Sequence, residues 1–85
     1  DDADAVRIAN DSPYGLAGYV LSESLDRSVA VARRLRAGTI GLNGGMGYGA
    51  DVPFGGYKAS GVGRQNGTAG FDQYLELKSV AWPTV

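Results

Sequence analysis

The side chains that could do chemistry in this 85-residue chain fall into three groups. Asp1, Asp2 and Asp4 lie close enough to pair as a general acid and base. Arg33, Arg34 and Arg36 could hold an anion. Lys58 and Ser60 stand in a glycine-dense string, Pro53-Phe54-Gly55-Gly56-Tyr57-Lys58-Ala59-Ser60-Gly61-Val62-Gly63-Arg64, of the type whose backbone N–H groups cradle phosphate. Each group has a plainer role. Carboxylates in the first turn of a helix complement its dipole, and arginines suit a solvated last turn. The phosphate-loop pattern needs Gly before its Lys, and Tyr57 stands there; the dinucleotide fingerprint Gly-x-Gly-x-x-Gly fails at Asn66, which holds the place of the third glycine.

What is absent narrows the chemistry further. With no Cys and no His, the chain holds no thiol nucleophile, no Cys/His zinc site, no disulfide and no His-based acid–base pair. Eight Lys and Arg against nine Asp and Glu give a net charge of -1, too balanced to attract nucleic acid or an acidic membrane. The apolar runs are too short to span a bilayer and the N-terminus is acidic, so a soluble, cytoplasmic setting is the expectation.

The elements that position these residues read as follows. Asp1 to Asn10 predicts a short helix, with Asp2 as its capping acceptor and Ala5, Ile8 and Ala9 on its apolar face. The turn formers from Asn10 to Gly15 end it. Leu16 to Ser22 is apolar on both parities, as in a strand covered on both faces. Ser24 caps a second helix whose stripe is Leu25, Val29, Ala32 and Leu35, and Gly38 is expected to stop it. Thr39 to Asn43 predicts another buried strand, so residues 16–43 form a strand–helix–strand unit closing as a parallel, right-handed crossover.

Fourteen residues are glycine, and the string from Gly44 to Gly67 has neither a strand nor a helix period. Met46, Tyr48, Val52, Phe54 and Tyr57 interrupt it, a mixture suited to a loop that approaches a ligand closely between apolar walls. Thr68 to Glu76 predicts a helix with Phe71, Tyr74 and Leu75 on one face. Leu77 to Trp82, closed by Pro83, predicts a terminal edge strand.

The string from Pro53 to Arg64 resembles the C-terminal end of the catalytic domain of NAD(P)-dependent aldehyde dehydrogenases, whose tail reads Pro-Phe-Gly-Gly-x-Lys-x-Ser-Gly-x-Gly-Arg. Gly67, Gly70, Phe71, Tyr74 and Lys78 continue the likeness, and Ala9-Asn10-Asp11, Tyr14-Gly15-Leu16-Ala17 and Ala37-Gly38-Thr39 leading to Asn43 carry it upstream. Gln65 departs from the acidic residue common after Gly-Arg.

The resemblance implies an α/β fold, with residues 1–85 forming a single partial domain: the C-terminal part of an aldehyde dehydrogenase-like catalytic domain plus its terminal oligomerisation strand. It implies oxidation of an aldehyde substrate to a carboxylate, with NAD or NADP as hydride acceptor in the full-length enzyme and none bound by this chain alone. Phe54, Tyr48 and Met46 would line the substrate tunnel, with Asn43, Gly55, Gly56 and Lys58 as structural residues near it. Val80 and Trp82 would be interface residues of a homo-oligomer joined through the terminal strand. The nucleophilic Cys and the cofactor domain would lie N-terminal to Asp1, leaving this piece inactive alone. Two alternatives stay open: a non-catalytic assembly module that pairs its last strand with a full-length subunit, and a small phosphate-binding domain using Gly55 to Gly67.

Overall fold

The computed structural model describes residues 1–45 and 47–84. In chain order these form helix α1 (Asp2–Asn10), strands β1 (Tyr14–Gly15) and β2 (Ala17–Val20), helix α2 (Leu25–Ala32), strands β3 (Thr39–Leu42) and β4 (Tyr57–Lys58), and helix α3 (Gly67–Asp72). Two separate two-stranded sheets result: β2 pairs with β3 in parallel, from Ala17 opposite Thr39 to Val20 opposite Leu42, and β1 pairs with β4 in antiparallel fashion.

The cap of α1 is Asp1 rather than Asp2: its Oδ1 accepts the Asp4 N–H at 2.8 Å. Asp2 is drawn instead to α2, where Arg27 donates to both its carboxylate oxygens at 2.7 and 2.9 Å. The buried residue of α1 is Val6, and the expected face of Ala5, Ile8 and Ala9 is exposed. With so few apolar residues in one short helix, the side that meets the β2–α2 unit is chosen by the neighbour.

Ser24 does cap α2, accepting the Arg27 N–H at 3.2 Å. Val29, Ala32 and Leu35 of the expected stripe on α2 are half-buried, but Leu25 is 62% exposed and the fully buried side chain is Ser28. Its hydroxyl donates to the Ser24 carbonyl at 3.0 Å, which removes the cost of burying it. Gly38 does not end the helix. The last residue of α2 is followed by Arg33 in right-handed geometry, and the turn beyond is finished by Asn10, whose Nδ2 donates to the Arg34 carbonyl and whose Oδ1 accepts the Arg36 N–H.

Two expectations about strands are corrected. β2 is covered by a helix on one face only, that of α2; Tyr19 on its other face is 71% exposed, because among the described residues that side meets only the loop carrying Gly45, Tyr48 and Phe54. Residues 77–84 adopt no secondary structure, since among the described residues no strand runs beside them, and Leu77, Val80 and Trp82 are exposed. The region from Gly44 to Gly67 is also more ordered than its missing period suggests. It contains β4 and an antiparallel bridge between Phe54 and Gln65. Helix α3 is shorter than expected, six residues rather than the stretch from Thr68 to Glu76, and Phe71, Tyr74 and Leu75 are exposed.

Candidate functional site

The glycine-rich string is held by the beginning of the chain. Tyr57 and Lys58 pair with Gly15 and Tyr14, the Ala59 N–H donates to the Pro13 carbonyl at 2.8 Å, and Ser60 Oγ accepts the Gly15 N–H at 2.8 Å. Lys58 occupies the left-handed region at φ 54°, and its Nζ donates to the carbonyls of Asn10 and Ser12 at 2.9 and 3.1 Å. Lys58 and Ser60 thus tie the string across to the turn after α1, some 45 to 48 residues away, not within itself.

This arrangement engages much of the backbone that a phosphate cradle would use. The N–H groups of Phe54, Ala59, Ser60, Gly61, Arg64, Gln65 and Gly67 all donate to protein acceptors, and the Arg64 guanidinium donates to the carbonyls of Gly56 and Gly63 at 3.1 and 2.7 Å. A nucleotide phosphate at those groups would have to displace these bonds, which counts against a cradle built on them. Nor do the described residues bring three or more His, Cys, Asp or Glu side chains together as metal ligands.

The string does build an apolar cleft. Phe54 is held half-buried by its bridge to Gln65, where the two residues exchange backbone hydrogen bonds of 2.8 and 2.7 Å. Its ring meets Tyr48, centroids 6.4 Å apart and planes tilted by 44°, within the usual range for an attractive aromatic pair. Both line a cleft of about 160 Å³ with Leu16, Tyr19, Gly45 and Gly47. No carboxylate, amine or guanidinium is among its described lining residues, and its polar groups are the hydroxyls of Tyr19, Thr39 and Tyr48, so the cleft suits an apolar chain or ring. Met46 lies outside the described residues.

The other expected residues fall outside this cleft. Asn43, at φ 49°, accepts the Ser22 N–H on Oδ1 at 2.9 Å and so joins the ends of β3 and β2. Gly55 and Gly56 pass behind Phe54, where the Gly56 carbonyl receives Arg64. Val80 and Trp82 stand on the extended terminal segment and do not line the cleft.

Sequence reasoning missed two features. Leu16 and Tyr19 are cleft walls, although their apolar run reads simply as buried strand. Behind Phe54, the guanidiniums of Arg36 and Arg64 lie 4.8 and 5.5 Å from the centroid of the Tyr57 ring, and the Gln73 side chain binds the backbone of Arg64. Arg36 is therefore engaged by an aromatic face rather than simply solvated. An Arg and an aromatic separated by some twenty residues leave no local pattern to find.

The charged groups of the N-terminal region serve structure. Asp4 pairs with Arg7 at 2.8 Å, and Asp2 pairs with Arg27. The hydrogen bond from Arg27 holds the Asp2 carboxyl below its ordinary value, and the same bond raises the Arg27 guanidinium. Neither pair touches the cleft.

Residues 1–80 match the aldehyde dehydrogenase family. The chain is 52% identical over 80 residues to 3-succinoylsemialdehyde-pyridine dehydrogenase of a Pseudomonas species, an alignment covering 94% of this chain and 17% of that protein. Among solved structures, an aldehyde dehydrogenase of Mycobacterium tuberculosis complexed with NAD+ superposes at a TM-score of 0.87 with 42% identity, over 98% of this chain and 17% of that one. A betaine aldehyde dehydrogenase of Staphylococcus aureus in complex with NAD+ superposes at 0.82 with 43% identity, over 89% of this chain and 15% of that one. The chain thus spans about a sixth of the length of the relatives it matches.

Proposed function

The chain belongs to the aldehyde dehydrogenase family, and from that premise we propose that its residues form the substrate-tunnel wall and a subunit contact of an enzyme that oxidises an aldehyde to a carboxylate. The observation that carries this reading is the meeting of Tyr48 and Phe54 in one apolar cleft beside Leu16 and Tyr19. An aldehyde with an apolar body behind its reactive carbonyl would be recognised here by contact area rather than by charge. The bound cofactor, NAD or NADP, would accept the hydride. A chain without Cys cannot supply the thiol nucleophile, and Gly61 and Gly67 already donate their N–H groups within the chain, so nucleophile and cofactor site are assigned to other parts of the whole enzyme. The contribution of these residues is then to exclude water along one wall and to orient the substrate's apolar end. The exposed Val80 and Trp82 favour subunit contact through the terminal segment.

A segment exchange tests this reading. These residues, put in place of the matching part of the Mycobacterium tuberculosis enzyme, are expected to yield a chimera that oxidises aldehydes with NAD+, while the 85-residue chain alone produces no NADH. In the chimera, Phe54→Ala should raise KM for an aromatic aldehyde roughly tenfold, the loss of about 1.4 kcal/mol of contact, with KM for NAD+ unchanged. A shift in KM for NAD+ with none for the aldehyde would overturn the assignment.

A further inference from the structure

The backbone of Phe54 is paired through a single bridged residue pair, and one such pair is too short a ladder to be stable by itself. Its far side is not packed solid either: a second cleft of about 350 Å³ opens there, lined by Phe54, Arg64, Gln65 and Gln73 among others. Besides the Gly67 N–H bond to the Ala50 carbonyl at 2.8 Å, a further contact holds the segment that carries Gln65. Backbone groups of successive extended residues point to opposite sides. Gln65 directs its N–H and carbonyl to Phe54, and Arg64 directs its own the other way, to the Gln73 side chain. There the Arg64 N–H donates to Gln73 Oε1 at 3.0 Å, and Gln73 Nε2 donates to the Arg64 carbonyl.

A primary amide offers one acceptor oxygen and two N–H donors, so it satisfies both backbone groups of a strand residue as a neighbouring strand would. Gln73 thus stands in for a missing third strand, anchored at the C-terminal end of α3. Gly63 makes room for it, since a Cβ there would lie 2.8 Å from Gln73 Oε1. Arg64 passes the restraint on, because its guanidinium donates to the Gly56 carbonyl two residues beyond Phe54.

We propose that Gln73 is a positioning residue for the substrate wall: by mimicking a strand it fixes Arg64 and Gln65, and through them the Phe54 ring. This rests on the reading of Phe54 as tunnel wall, and the experiment separates the two. In the full chain, Gln73→Ala should speed amide hydrogen exchange at Phe54 and Gln65 roughly tenfold, while the amide of Asn43, bonded to Val20 in the other sheet, is unchanged. Gln73→Glu keeps the acceptor for Arg64 but at neutral pH has no donor for its carbonyl, so its effect should be intermediate and should shrink when the carboxyl is protonated. In the chimera, Gln73→Ala should raise KM for the aromatic aldehyde roughly threefold with kcat retained. Unchanged exchange at Phe54 and Gln65, or equal acceleration at Asn43, overturns the positioning role. A KM that responds to Phe54→Ala but not to Gln73→Ala also overturns it, whereas altered exchange with a KM indifferent to both substitutions sinks the wall reading alone.

Discussion

Gly38 passes so near the glycine-rich string that a Cβ on it would overlap the Gly55 carbonyl oxygen, and the colliding atom is backbone, which cannot rotate away. Gly38→Ala should therefore cost about 3 kcal/mol, read as a lowered urea midpoint, through displacement of the segment that begins at Phe54. The glycine is recognisable in the sequence, but its expected job as a helix stop is wrong: a stop is defined by local backbone geometry, whereas close approach is defined by a partner seventeen residues on. Lys58 and Ser60 follow the same logic. Their importance is legible from the family string, yet their acceptor and donor partners, near residues 10 to 15, are set by tertiary pairing of β1 with β4. Phe54 and Tyr48 are readable as apolar residues among glycines; the cleft they share with Leu16 and Tyr19 depends on the path of the string after it has been tied down.

Between elements, the pair formed by Asp2 of α1 and Arg27 of α2 is an ionic link, and it gives the packing of α1 a pH dependence. The folded Asp2 carboxyl titrates below its unfolded value because Arg27 donates to it. Its contribution is therefore fully present above the ordinary aspartate range, near pH 4, and is lost as pH falls through the lower folded value. Asp2→Asn should lower stability modestly at neutral pH, and the difference from the parent chain should vanish under acid, as followed by urea titration at several pH values. A difference that persists unchanged into strong acid would show that the carboxylate does not act through its charge. Among the elements α1, α2 and the β2–β3 pair were legible, whereas β1 and β4 fall in stretches that read as turn and as unpatterned loop. Ser24 as a cap, β3, and the parallel pairing of β2 with β3 all follow from side-chain type and period. Strand coverage was not, because an apolar run reports that a face needs covering without saying which chain covers it. The terminal segment from Leu77 shows the same limit: alternation marks a strand, but hydrogen bonding requires a neighbour.

At the scale of the whole molecule, uncovered faces outweigh the core. Val6 is the one buried apolar side chain among the described residues, while Tyr19, Leu21, Leu77 and Trp82 are more than two-thirds exposed. The radius of gyration is 17.6 Å, against about 12 Å for a compact domain of this length. A chain spanning about a sixth of its relatives has this shape if most of its apolar surface faces parts supplied by other sequence. Alone, it should melt over a broad range with a small dependence on denaturant, because little apolar surface is exposed on unfolding. It should also associate, since an extended segment with free backbone groups and apolar side chains is a template for pairing. Sedimentation from low to high micromolar concentration is expected to show a rising average mass. Removing residues 77–85 should flatten that rise while leaving the exchange protection of the β2–β3 pair intact, which locates the association in the terminal segment. If the rise instead survives the deletion, the exposed face of β2 around Tyr19 is the sticky surface, and the subunit contact assigned to Val80 and Trp82 falls.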